Sequence, residues 1–340
     1  MAEARVHNVI IKKMSNIEDK KEIKNNKYLY LVIGGFLGFL ICIGVTKLYS
    51  KSSCVTDLKY IKPNLDCDTF DDRSQTLSVL RDKLRVLASG YKKTNSVIRM
   101  SVFVRDLNTS RFAGYNETDS YSLASLLKVP LMIGGFKLAE VEPKVLNQKI
   151  KYTGSPDLYG EQIIAPENKL VAGESYYVSD LIERAVKYSD NTAAQLLYEY
   201  YPDEFMDRIM QAIGLDMPKN GETENPVTAR SFSGVFRTLY NASYLTKEYS
   251  DKSLEILTKT QFTEGALRDL PKNIVAAHKF AERTFANTGV KQFHECGIVY
   301  EGKNPYTFCI MTEGLDYNSL KDIIAETSYA IYEEMKGEEE

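Results

Sequence analysis

The order of hydrophobic periodicities along this chain predicts an α+β fold. It is a five-stranded antiparallel sheet flanked by N- and C-terminal helices, with an all-helical insert, preceded by one transmembrane helix. Three observations lead there. From residue 71 one helical pattern is followed by two alternating, strand-like segments; helical patterns alone fill about residues 120–272; three alternating segments and a long amphipathic one close the chain. Joining the strands from both ends into one sheet lets the terminal helices cover one face and the insert the other. An active site is expected in the crevice between the two parts.

The segment before that region has its own character. Residues 1–27 are polar and lysine-rich, and residues 28–46 carry no charge. At helical rise such a run is about long enough to cross a hydrocarbon layer of roughly 30 Å. Lys47-Leu48-Tyr49-Ser50-Lys51 lacks a small-x-small cleavage pattern, so an uncleaved anchor over residues 28–49 is read in preference to a signal peptide. Lys12, Lys13, Lys20, Lys21, Lys24 and Lys27 outnumber the lysines just after the span. That bias puts the N-terminus inside and the rest of a single-pass cell-membrane protein outside the cytoplasm. Residues 50–70, broken by Pro63-Asn64, read as a linker to a domain over residues 71–340.

The elements follow in order. Leu77, Leu80, Leu84 and Leu87 recur at helical spacing, with Gly90 as the expected stop. Val97–Asp106 alternates through Ile98, Met100, Val102 and Val104, and Arg111–Tyr115 returns after the Asn108-Thr109-Ser110 turn. Val129, Met132, Ile133 and Phe136 form the buried face of a helix, with a kink expected at Pro130. Ser179 is the expected N-cap of the next helix, Thr192 and Gln195 form a capping-box pattern, and Gly214 closes a helix through Phe205 and Ile209. Thr228 caps a helix burying Phe232, Val235, Phe236 and Leu239. Ile274–Phe280, His294–Tyr300 and Tyr306–Thr312 are the last strands, and Asn318–Lys336 is the final helix.

Composition excludes several classes. A net charge of −3 without a basic run beyond the N-terminal tail offers nucleic acid no surface. Three histidines (His7, His278 and His294) and no Cys-x-x-Cys give no convincing zinc site, and no cofactor is implied. Cys54 and Cys67 can pair, as can Cys296 and Cys309 across a hairpin; free thiols fit the spacing as well.

The chemistry sits in two stretches. Ser125 and Lys128 stand three apart, on one face of a helix, where a lysine of lowered pKa can take the serine proton. Ser189-Asp190-Asn191 falls between two helices and runs on into Thr192-Ala193-Ala194-Gln195-Leu196-Leu197. Each stretch alone reads better as a helix start or cap than as a catalytic site. Together they resemble the class A β-lactamases and the penicillin-recognising D,D-peptidases, in element order over roughly residues 72–336.

The resemblance implies a covalent acyl-enzyme on Ser125, with Lys128 as base or relay. Ser189 would pass a proton to the leaving nitrogen, and Asn191 would hold the substrate's side-chain amide. The backbone N–H groups of Ser125 and Glu282 would form the oxyanion hole. Two departures matter. Where the family has Lys-Thr-Gly, this chain has Lys279-Phe280-Ala281; Lys279 keeps the positive charge beside Ser189 while Phe280 removes a hydroxyl. The family's deacylation glutamate, with asparagine four residues on, has no counterpart between Gly214 and Thr228, where Glu222 and Glu224 lack that partner. The expectation is a membrane-anchored serine hydrolase acting on a β-lactam or a peptidoglycan stem peptide. The rival is a non-catalytic wall-binding protein that kept the fold.

Overall fold

Leu80, Leu84 and Ala88 bury one face of the first helix, α1 (Ser78–Lys93), against the sheet. In the computed structural model the described residues are 58–62, 77–162, 164, 166–202, 204–215 and 226–336. All belong to one unit spanning Thr56–Glu340. The expected span at 28–49, the Cys54–Cys67 pair, and Glu222 and Glu224 lie outside the described residues. Among those described, no helix is long and apolar enough to cross a membrane.

After α1 come β1 (Arg99–Asp106), β2 (Phe112–Tyr115), β3 (Ser120–Ser122) and α2 (Lys128–Val141). Then follow β4 (Lys149–Lys151), β5 (Ser175–Tyr177), α3 (Val178–Lys187), α4 (Asn191–Tyr200) and α5 (Phe205–Ala212). The chain continues through β6 (Pro226–Thr228), α6 (Ala229–Tyr240) and α7 (Lys247–Leu257). It closes with β7 (Val275–Thr284), β8 (Lys291–Tyr300), β9 (Tyr306–Gly314) and α8 (Tyr317–Met335).

The main sheet has the expected five antiparallel strands, in the order β2-β1-β9-β8-β7. Its two faces are both covered. Met100, Val102, Val104 and Ile310 face Leu84 of α1 and Leu320 and Ile324 of α8. Phe103, Ile298 and Met311 face the insert. Both side-chain sets of β1 are therefore buried, and Ile98 is not among them: it precedes the strand and stays half exposed.

Several boundaries differ from the expected ones. The insert is not all-helical: β3 pairs with β6, and β4 with β5, as two short ribbons. Helix α1 runs past Gly90 to Lys93, since a glycine only weakens a helix unless it must leave it. Pro130, where a kink was expected, is not in a helix interior: α2 begins at Lys128 and the proline falls in the first turn, where its missing N–H has no intrahelical partner. Helix α3 starts at Val178, with Ser179 already inside it. The cap of α4 is Asp190, whose Oδ1 accepts from Ala193 N at 3.0 Å, and not Thr192, whose Oγ1 accepts from Leu158 N instead. The buried face of α7 mixes Ser250 and Ser253 with Leu254, Ile256 and Leu257. Thr228 caps α6 in a full capping box with Ser231.

Cys296 and Cys309 stand directly opposite each other on β8 and β9 and are joined in a disulfide. Of the two open states, paired or free, the register selects the first.

Candidate active site

Ser125 lies in a 3-10 turn, Ala124–Leu127, that runs directly into α2. In such a turn residues three apart eclipse. Lys128 Nζ therefore reaches Ser125 Oγ at 3.0 Å. The turn is entered through Ala124 in the left-handed region, at φ +43°. That conformation costs a non-glycine residue about 1–3 kcal/mol and persists only where surrounding contacts enforce it.

Ser189 is held the same way, at φ +54°, between the end of α3 and the Asp190 cap of α4. The turn aims its side chain at Lys128, whose Nζ lies 3.0 Å from Ser189 Oγ, 2.5 Å from the Ser189 carbonyl and 2.5 Å from Asn191 Oδ1. The last two are pure acceptors. A neutral amine can give each of them one hydrogen and still keep its lone pair for a hydroxyl proton. Lys128 is only 5% exposed. Burial lowers its pKa from 10.5 to about 7, against the opposing pull of Asp190 and Glu282. A serine beside such an amine has a base within reach.

Asp190 anchors this turn from beneath. It is fully buried, and Arg184 meets its Oδ2 at 2.8 Å while Tyr159 OH donates to the same oxygen at 3.2 Å. The buried carboxylate is thus paired and hydrogen-bonded, as burial of a charge requires.

The opposite wall is β7, the edge strand of the main sheet, which runs beside the 3-10 turn. Lys279 projects from it, fully buried, and donates to Ser189 Oγ at 3.0 Å and to the Phe280 carbonyl at 2.7 Å. Burial, and then the neighbouring Lys128, hold its pKa well below 10.5, while Glu282 and Glu295 oppose that. Phe280 points to the other face of the strand and packs on Phe262 at 4.4 Å between ring centroids. His278 is likewise a core residue, its Nδ1 2.7 Å from Glu295 Oε1.

Ser125, Lys128, Asn191 and Glu282 line one cleft, together with Leu131, Leu158 and Tyr198. All six residues expected at the site, Ser189 and Lys279 included, therefore meet in one place. The motifs did not point to Gln162. Its Nε2 donates to the Ser189 carbonyl at 2.8 Å, and its Oε1 accepts from Asn191 N at 3.0 Å. Nothing local signals it, because it lies far from those residues in sequence. Arg184 was foreseeable only as a basic residue in the last turn of α3.

The model of the β-lactamase enzyme family matches residues 80–335. The β-lactamase ROB-1 of Haemophilus influenzae is 31% identical over 117 residues, which are 34% of this chain and 36% of ROB-1. The β-lactamase SME-1 of Serratia marcescens is 29% identical over 118 residues, 34% of this chain and 39% of SME-1. The chain thus matches little more than a third of the length of these relatives. Among solved structures, a class A β-lactamase from Mycobacterium abscessus superposes with a TM-score of 0.64 at 18% identity, covering 75% of this chain and 98% of that one. A PBP-A mutant captured as an acyl-enzyme with penicillin G gives 0.63 at 20% identity, covering 76% and 97%. At such identities the superpositions speak for the fold, and it is the match over residues 80–335 that places the chain in the β-lactamase enzyme family.

Proposed function

We propose that this chain is a membrane-anchored serine hydrolase that is acylated at Ser125 by a β-lactam or a D-Ala-D-Ala-like amide and then hydrolysed. The observation that carries the reading is the position of one buried, weakly basic amine, Lys128 Nζ, 3.0 Å from both Ser125 Oγ and Ser189 Oγ. Neutral Lys128 takes the Ser125 proton as Oγ bonds to the amide carbonyl carbon. The backbone N–H groups of Ser125 and Glu282 receive the developing oxyanion. The C–N bond then breaks as Ser189 gives its proton to the leaving nitrogen and regains one from protonated Lys128. Lys279 gives a hydrogen bond to Ser189 Oγ, and Asn191 orients the substrate amide. The PBP-A acyl-enzyme with penicillin G supports a β-lactam as the acylating group. The uncharged stretch within residues 28–49 supports the anchor.

One observation favours slow release of the acyl group, as in a penicillin-binding protein. Among the described residues lining the cleft, the sole carboxylate is that of Glu282, and its Oε1 already accepts from Ile164 N at 3.0 Å. Water attacking the ester needs a base. Intact-mass spectrometry of the full chain with penicillin G, beside Ser125→Ala, tests both readings. A lasting adduct on the wild type alone supports acylation with slow release. Penicillin loss without an adduct, abolished in the variant, supports turnover. No adduct and no turnover, with penicillin or a D-Ala-D-Ala peptide, removes the acyl-transfer reading and leaves the non-catalytic wall-binding one.

A further inference from the structure

Gln162 does to the Ser189–Asn191 turn what a neighbouring strand does to a strand. Its carboxamide spans Asp190, giving a hydrogen to the carbonyl before it and taking one from the amide after it. The same Nε2 also lies 3.2 Å from the Ile164 carbonyl. Two residues on from Gln162, Ile164 N donates to Glu282 Oε1 on β7. This short piece of chain therefore touches both walls of the cleft.

The contact falls where the site is strained. Ser189 sits in the left-handed region, and its carbonyl is also the 2.5 Å acceptor of Lys128 Nζ. A residue in that conformation stays there only if its neighbours leave it no alternative. Asp190 fixes the middle of the turn through Arg184 and Tyr159, and Thr192 is fixed by Leu158 N. The backbone on either side of Asp190 is held by Gln162.

We propose that Gln162 is a positioning residue: it fixes Ser189 and Asn191 in the orientation in which both meet Lys128. The inference rests on the acyl-transfer reading for its catalytic consequence, but not for its geometry.

Two variants of the full chain test it, Gln162→Ala and Gln162→Glu. Hydrogen exchange followed by mass spectrometry reads the Asn191 amide in the peptide that contains it. Penicillin acylation rates are measured across pH, with melting temperatures alongside. In Gln162→Ala the Asn191 amide is expected to exchange about tenfold faster or more, with peptides of α1 and β9 unchanged. Its acylation rate falls by about tenfold or more at every pH, since small misplacements of catalytic groups cost that much. Gln162→Glu puts a carboxylate next to the carbonyl that Lys128 contacts, so the acid limb of the rate profile moves to higher pH, which a merely structural role would not do. Unchanged Asn191 exchange in Gln162→Ala overturns the proposal. So does acylation within about twofold of the wild type together with an unmoved limb in Gln162→Glu. If the wild type itself is not acylated, the acyl-transfer reading fails, and the exchange result alone decides whether Gln162 holds the turn.

Discussion

Lys128 and Lys279 point their amino groups at the same oxygen, Ser189 Oγ, each from 3.0 Å. Both amines are buried, and two ammonium charges so close and so poorly solvated oppose each other. The arrangement favours a neutral amine at the site. A neutral amine is what an acylating serine needs.

That argument sets the pH dependence. In the proposed mechanism Lys128 acts as the base only when deprotonated, and burial lowers its pKa to about 7. Activity is therefore lost as pH falls through that value. The second-order rate of Ser125 acylation is expected to drop about tenfold per unit below pH 7, a slope read from stopped-flow or quench kinetics with a chromogenic β-lactam. A flat profile down to pH 5 would remove Lys128 as the base.

Stability carries the same signature with a definite sign. The folded-state pKa of Lys128 lies below its unfolded value of 10.5. Between about 7 and 10.5 the unfolded chain thus binds one proton more, and stability from this group rises with pH by about 1.4 kcal/mol per unit. Below 7 the group's full cost is present. The stability difference between Lys128→Met and the wild type should shift in the wild type's favour by about that slope from pH 7.5 to 9.5. Urea midpoints at several pH values would show it, and a difference independent of pH would contradict it.

Arg184 lies outside the reacting groups yet neutralises buried Asp190. Removing it leaves an unpaired carboxylate inside the protein. Arg184→Ala should destabilise the fold by about 3 kcal/mol, since breaking such a pair costs more than the pair contributes. It should also slow acylation through the Ser189 turn. Chemical denaturation checks the first effect, and a loss below about 1 kcal/mol would mean that Asp190 finds other partners.

Gly297 stands opposite His278 in the β7–β8 pairing. A Cβ there would meet the Ala277 carbonyl oxygen at 2.5 Å and His278 Cβ at 2.7 Å, and neither can move without moving β7. Gly297→Ala should cost about 1–3 kcal/mol, as overpacking does, and should reduce acylation by displacing Lys279. Melting temperature and acylation rate measured together would test it; a variant equal to the wild type in both would show that β7 can yield.

Much of this architecture was written in local pattern. Period-2 and period-3.6 spacing located the five strands of the main sheet and the terminal helices, because those residues bury faces whatever lies opposite. The motifs Ser125-x-x-Lys128 and Ser189-Asp190-Asn191 pointed to groups that meet in the cleft, because their spacing is a local property of turns and helix starts. Local pattern failed at Ser179 and Thr192. At Thr192 a tertiary partner, Leu158 N, took the hydroxyl that a cap would have used.

What only the tertiary structure decided is the state of the site. The pKa of Lys128 follows from burial beneath elements distant in sequence, and the neutral amine from the neighbours gathered there. Lys279 reaches Ser189 only because β7 forms the edge of a sheet assembled from both ends of the domain. Gln162 touches the turn from a segment 27 residues before Ser189. Residue types along the chain name the groups that can react; desolvation and orientation, which make them reactive, are properties of the packed fold.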